Sequence, residues 1–178
     1  MRIRADRVFL RELTPADCSA EYVAWLADPE VTQYLETRHM VHDQSRVREF
    51  VGRMAASADE FLFGIFLVDG GRHVGNIKVG PIRREHGLAD VSLLLGAREV
   101  WGHGMATEAI GAVSRHAFTS LGVSKLGASM YAPNVGSRRA FLKAGYREEG
   151  LRRAHYELDG IRCDLVELGL LPSDLEPG

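Results

Sequence analysis

The chain has 178 residues, enough for one domain with one core and little more. Hydrophobic residues make up 46% and charged residues 26%, ordinary globular proportions that exclude disorder as the dominant state. Lys and Arg number 22 against 24 Asp and Glu, a formal charge of −2 without the basic excess of a dedicated nucleic-acid binder. No apolar run is long enough to span a bilayer. The opening MRIRADRVFLREL scatters charge where a signal peptide needs an apolar stretch. Cys18 and Cys163 stand far apart, too few for a disulfide framework or an unaided zinc site. The expectation is a cytoplasmic protein with free thiols and no membrane or nucleic-acid partner.

Val8 to Leu13 alternates as a strand. Thr14-Pro15 reads as a helix start, a hydroxyl cap followed by Pro in the first helical position, with Tyr22, Val23, Trp25 and Leu26 at near-helical spacing behind it. Asp28-Pro29 repeats that signal for a short helix through Val31, Tyr34 and Leu35, and Asp43 caps a third. Val47, Phe50, Val51 and Met54 form one buried helical stripe there. The period then changes. Phe61 to Val68 and Arg72 to Val79 are strands around the turn Asp69-Gly70-Gly71. Pro81 to Gly87 is a polar loop, and Ala89 to Leu95 is a strand apolar enough to be central. A helix starts at Met105, buries Ile110, Val113, Ala117 and Leu121, and ends at Gly122. Lys125 to Tyr131 is a strand, Asn134 caps a helix that carries Phe141 and Leu142, and Gly145 ends it. Two strands around Asp159-Gly160 close the fold. The order predicts a mixed α/β domain with one central sheet over 1–172 and a polar, frayed tail over 173–178.

The chemistry concentrates between Leu93 and Glu108. Leu93-Leu94-Leu95-Gly96 runs through a short loop into Trp101-Gly102-His103-Gly104-Met105-Ala106-Thr107-Glu108. A strand thus meets a glycine-rich turn and then a helix N-terminus. First-turn N–H groups lack internal partners and, with the helix dipole, attract phosphate. Gly102 and Gly104 let the backbone turn sharply and approach a ligand. A mononucleotide loop would need Gly-Lys-Ser/Thr, which is absent, and Thr107 stands where a dinucleotide fingerprint needs its last glycine. A tight strand-to-helix connection without a ligand is the plain alternative.

WGHGMATEA resembles the acyl-CoA pyrophosphate loop of the GNAT superfamily of acetyl-CoA-dependent N-acetyltransferases. Its closer likeness is to the subgroup that holds the ribosomal-protein N-terminal and bacterial amino-sugar acetyltransferases. The family loop is Gln/Arg-x-x-Gly-x-Gly/Ala. Here Trp101, Gly104 and Ala106 take those positions, so an Arg side-chain contact is lost and the backbone amides remain. YVAWLADPEVTQYL, HVGNIKV, Asn134-Val135-Gly136-Ser137 and AFLKAGYREEG are similar to further family segments in the family's order. The resemblance implies a single domain with a central, mostly antiparallel, splayed sheet flanked by helices.

It also implies site residues. The pantetheine arm of acetyl-CoA lies between a splayed Val91–Leu95 and Lys125–Tyr131 and pairs with the backbone of Leu93 to Leu95. Backbone amides from Trp101 through Gly102, His103, Gly104, Met105 and Ala106 hold the pyrophosphate, and Asn134 touches the pantetheine, with plain N-capping as its alternative. Ser137 is the candidate proton donor to the leaving thiolate, because the usual Tyr position holds Phe141. Tyr156 stands where the ribosomal subgroup has a Glu proposed as base, and it is a poor base at neutral pH. Glu36, Asp90, Glu108 and His155 are the other candidate bases, Glu108 having a helix-dipole role as its alternative. Glu36 and Arg38 lie in a string similar to the acceptor pocket of the amino-sugar enzymes, Arg38 being suited to a phosphate or carboxylate. His39 and His42 lack further ligands, so no metal is expected.

The implied reaction is acetyl transfer to a primary amine by direct attack in a ternary complex. The acceptor would be a small amine, such as an amino sugar or its nucleotide conjugate, or else a protein N-terminus. A closed pocket with Arg38 inward would mark a phosphorylated sugar, and an open acidic groove a peptide. A catalytically silent acyl-CoA-binding module is the competing class. Relatives are often homodimers, though no interface is readable from the residues.

Overall fold

A computed structural model describes residues 1–175. Its elements are β1 (Ile3–Arg4), β2 (Val8–Glu12), α1 (Ala20–Ala27), α2 (Pro29–Thr32), α3 (Gln44–Ala55), β3 (Phe61–Leu67) and β4 (His73–Val79). There follow β5 (Leu88–Leu95), α4 (Met105–Ser120), β6 (Lys125–Tyr131), α5 (Val135–Lys143), β7 (Arg147–Leu158) and β8 (Ile161–Leu170). The strands form one sheet in the order β1-β2-β3-β4-β5-β6-β8-β7. Every neighbouring pair is antiparallel except β5–β6.

Local chemistry places most helix starts. The Asp28 carboxylate accepts from Glu30 N–H at 2.9 Å, and Asp43 accepts from Arg46 N–H at 2.8 Å. The first helix departs from expectation. Thr14-Pro15 opens only a 3-10 turn over Pro15–Asp17, and α1 begins after a fresh cap, Ser19, whose Oγ accepts from Tyr22 N–H at 3.1 Å. The reason lies in Asp17. Its carboxylate accepts from Thr14 N–H at 2.8 Å and takes the Arg11 guanidinium at 2.9 and 2.5 Å, which closes the turn on itself. The Arg11 hydrogen bond, with those from Thr14, holds Asp17 well below the usual carboxylate range.

The two faces of the sheet are covered unequally. Over β3 and β4, α4 packs on one face with Ile110, Val113 and Ala117 fully buried, and His116 meets the edge of Phe63. The other face takes Tyr22 and Trp25 of α1 and Val47 and Val51 of α3. Over β6 and β8, Leu126, Ala128, Met130, Val166 and Leu168 share the core with Ala140 and Phe141 of α5. The opposite face there, with Ser129, Glu167 and Arg152, has no helix over it among the described residues.

β5 and β6 pair only at Leu88–Lys125, Ala89–Leu126 and Asp90–Gly127, and beyond that rung they part. At the last rung a Cβ on Gly127 would lie 2.4 Å from Asp90 Oδ1, the tip of an exposed side chain that can turn aside. The β7–β8 hairpin turns at Asp159-Gly160 with φ of 51° and 79°, as an Asp-Gly hairpin requires. It carries a bulge between Arg152 and Tyr156, where Ala154 N–H donates to Asp164 Oδ1 at 2.7 Å. At the start of the tail Pro172–Asp174 forms a 3-10 turn, and Asp174 pairs with Arg147 at 2.7 Å. The tail's last residues, 176–178, lie outside the described residues.

Candidate active site

Where β5 leaves β6 a cleft opens, with a cavity of about 400 Å³. Leu93, Leu94 and Leu95 line it from β5, Trp101, Gly102 and Ala106 from the turn into α4, and Asn134 and Ser137 from the start of α5. β4 pairs with one edge of β5, through Ile77–Leu93, Asn76–Leu94 and Gly75–Leu95. Among the described residues the other edge has no strand partner from Val91 to Leu95, so its backbone groups, Leu95 O apart, are not used by a neighbouring strand.

The turn into α4 has the geometry of an anion cradle. Gly102 and Gly104 take φ of 77° and 84°, the left-handed region that favours glycine. Gly104 caps α4 without a side chain, and the first helical bond runs from Glu108 N–H to Gly104 O at 3.2 Å. The N–H groups ahead of Glu108 therefore have no helical acceptor. His103, Gly104 and Met105 shape this turn without lining the cavity itself. Trp101 has a role that its position in the motif did not suggest: its indole N–H donates to Leu95 O at 3.0 Å and ties the turn to the end of β5. Glu108 faces away from the cleft, accepting from Arg7 N–H at 2.8 Å and Arg7 Nε at 2.6 Å and bordering a separate hollow with Asp6 and Arg115.

On α5, Asn134 Oδ1 accepts from Ser137 N–H at 3.2 Å. The residue is an N-cap, and the same side chain borders the cavity. Ser137 also borders it, and its hydroxyl makes no hydrogen bond among the described residues. Phe141 is buried, with its ring edge-on to Tyr146 at 4.9 Å, and is part of the core. Tyr146 offers no replacement acid. Its hydroxyl meets Ser114 Oγ at 3.0 Å, and burial pushes it far above its ordinary value.

Glu36 and Arg38 lie on a 3-10 turn over Glu36–His39, directly after Tyr34 and Leu35, which line the cleft. Arg38 does not reach into the cavity. Nη1 donates to Leu35 O at 2.9 Å, and Nη2 to the Tyr131 hydroxyl at 3.0 Å and Glu157 O at 3.3 Å. The Tyr131 hydroxyl in turn bonds Glu36 Oε1. Tyr131 is a residue that the motif reading missed; the one local signal was an aromatic side chain at the end of β6, just before Pro133-Asn134. Burial and the Glu36 carboxylate push its hydroxyl above its ordinary value, so it stays protonated. Tyr156 stacks on Tyr131 at 4.8 Å and borders a second hollow, of about 530 Å³, on the uncovered sheet face. Asp90 and His155 border that hollow too, Asp90 lying 3.6 Å from Arg83. Among the described residues no three His, Cys, Asp or Glu side chains cluster as a metal site, and no helix is long and apolar enough to cross a membrane.

A parted strand pair beside a bare helix N-terminus offers a free strand edge for an extended ligand and unpaired amides for an anionic end. The family described as the acetyltransferase (GNAT) domain matches residues 7–147, and the chain belongs to that family, the acetyltransferases that use acetyl-CoA. It is 28% identical over 165 residues to YoaA of Bacillus subtilis (strain 168), an uncharacterized N-acetyltransferase, covering 91% of this chain and 92% of that one. Spermidine N-acetyltransferase from Vibrio cholerae, solved with CoA and spermine, superposes with a TM-score of 0.83 at 18% identity, covering 94% and 97% of the two chains. RimL, a ribosomal L7/L12 alpha-N-protein acetyltransferase solved with coenzyme A, superposes with a TM-score of 0.86 at 15% identity, covering 96% and 98%. At these identities the structural likeness is one of fold.

Proposed function

We propose that this chain moves the acetyl group of acetyl-CoA onto a primary amine by direct attack in a ternary complex. The observation that carries the reading is the parting of β5 from β6 at Asp90–Gly127, beside the uncapped start of α4. Acetyl-CoA supplies an activated thioester; the chain supplies everything else. The amides of Gly102 to Ala106 hold the diphosphate. The free edge of β5 at Leu93–Leu95 holds the extended arm, and an N–H there faces the charge that grows on the thioester oxygen. Asn134 keeps α5 in place against the arm. The ammonium first loses a proton to solvent, and the free amine attacks. The C–S bond breaks as the C–N bond forms, and the proton that the nitrogen then sheds is relayed through Ser137 Oγ to the departing sulfur.

The acceptor in this reading is a primary amine without a phosphate. The two terminal nitrogens of Arg38 are spent on Leu35, Tyr131 and Glu157, so the phosphate clamp expected for a nucleotide-linked or phosphorylated sugar has no free donor fork. Glu36, with its side chain 63% exposed and directly after Tyr34 and Leu35 of the cleft wall, is the carboxylate assigned to the ammonium, since Glu30, which lines the cleft, is paired with Arg98. A polypeptide N-terminus is the second reading, favoured by the uncovered sheet face beside Tyr156, which leaves room for a chain to lie across it. A cytoplasmic setting belongs to the same proposal, since free thiols at Cys18 and Cys163 suit a reducing compartment.

The test has two parts. Coenzyme A at saturation raises the melting temperature. Thiol release from acetyl-CoA is then measured with spermidine, glucosamine, glucosamine 6-phosphate and a short peptide with a free N-terminus. Unphosphorylated amines are turned over faster than the phosphorylated one. Stabilisation without turnover of any amine would mark a silent binding module, and no stabilisation would remove the acyl-CoA reading altogether.

A further inference from the structure

We infer that Tyr131 is a positioning residue for the acceptor: it fixes the Glu36 carboxylate, next in the chain to Tyr34 and Leu35 of the cleft wall, so that its other oxygen docks the incoming ammonium. The inference rests on the proposed amine acceptor and adds a residue that neither the loop motif nor the cavity lining contains.

The hydrogen bonds have only one possible direction. A guanidinium donates and cannot accept, and a phenol has one proton. The Tyr131 oxygen accepts from Arg38 Nη2 at 3.0 Å, so its own proton goes to Glu36 Oε1. A chain of donors therefore runs from Arg38 through Tyr131 and ends on the carboxylate. Arg38 Nη1 stays 3.7 Å from Glu36 Oε1 while it donates to Leu35 O, so the cation steadies the carboxylate without closing a tight pair on it. Glu36 Oε2 has no hydrogen bond among the described residues and is left for another donor.

The link is also rigid where it must be. Tyr131 is 4% exposed, although it lies outside the main core cluster. Its ring is stacked on Tyr156 and has the Arg38 guanidinium 5.1 Å from its centroid, so it cannot swing. Its strand, β6, is the one that parts from β5, and Asn134, three residues on, borders the cleft. Glu36, by contrast, sits on an exposed 3-10 turn, where a free Glu would sample many rotamers. Tying one oxygen removes that freedom before the amine arrives, the usual gain from preorganisation.

The alternative is that the network only staples the turn to the β7–β8 hairpin, and a double-mutant cycle on the full chain separates the two. Tyr131→Phe, Glu36→Gln and the double variant are compared with wild type. Affinity for spermidine and for a tetrapeptide with a free N-terminus is measured by calorimetry with coenzyme A bound, and KM values follow for whichever amine is turned over. Tyr131→Phe weakens amine binding and raises the amine KM about tenfold, the size expected of one hydrogen bond to a charged group, and leaves the acetyl-CoA KM unchanged. Glu36→Gln loses at least as much, and the double variant loses no more than Glu36→Gln alone. Additive losses, an acetyl-CoA KM that moves as far as the amine KM, unchanged amine binding in Tyr131→Phe, or no amine binding by wild type would each overturn the inference. Wild type that binds amine through this pair yet releases no thiol would uphold the inference while removing the proposed acetyl transfer.

Discussion

The two halves of the sheet differ in what covers them. β3 and β4 are shut between α4 on one side and α1 with α3 on the other, and five successive residues of β3, Leu62 to Phe66, are buried. β6, β8 and β7 lean on α5 from one side only, and nearly every residue of β7 meets solvent. The closed half supplies stability and the open half supplies access. The cleft lies at their junction, where β5 still belongs to the first half and β6 already belongs to the second.

The contrast can be broken by substitution. Phe63→Ala in the closed half costs about 4 kcal/mol in denaturant unfolding, from lost burial plus the cavity left behind. Ser129→Ala on the open face stays within about 0.5 kcal/mol. Equal costs would show that the open face is covered in solution. Ser137→Ala tests the junction itself: kcat falls about a hundredfold, the lower range for a positioned proton donor, while the thermal shift with coenzyme A is retained. Gly104→Ala forces a side chain into the left-handed region and toward Arg7 Nη2 at 3.0 Å. It costs about 1–2 kcal/mol of stability and weakens coenzyme A binding in calorimetry.

A smaller effect comes with pH. Asp17 is held below its ordinary range when folded, so its contribution to stability is complete above the ordinary carboxylate value, about 4, and is lost as pH falls further. Asp17→Asn is less stable than wild type at neutral pH, and the gap between them narrows in acid melts below about pH 4.

Elements set by neighbouring residues were readable in advance. β6 over Lys125–Tyr131, the Asn134 cap with α5 behind it, the left-handed glycines at 102 and 104 and the Asp159-Gly160 hairpin each depend on a few adjacent side chains. The one-turn stop after Pro15 was not, because it needs Arg11 to reach forward to Asp17. Nor was the 3-10 turn at Pro172–Asp174, whose Asp174 is tied to Arg147. In the site, the parted strands followed from the family likeness and from no periodicity in the chain. The Arg38–Tyr131–Glu36 link was hidden for a plainer reason: it joins residues about a hundred positions apart, and no local pattern announces that they meet.

The rung at Asp90 and Gly127 has one more consequence. Five residues of β5 lie beyond it, Val91 to Leu95, and at the rise of an extended strand they measure out about 16 Å. The crotch of the V thus sets a fixed inner end to the cleft. A ligand laid along that edge meets a hydrogen-bonded pair of strands there, and backbone rather than any side chain sets the limit.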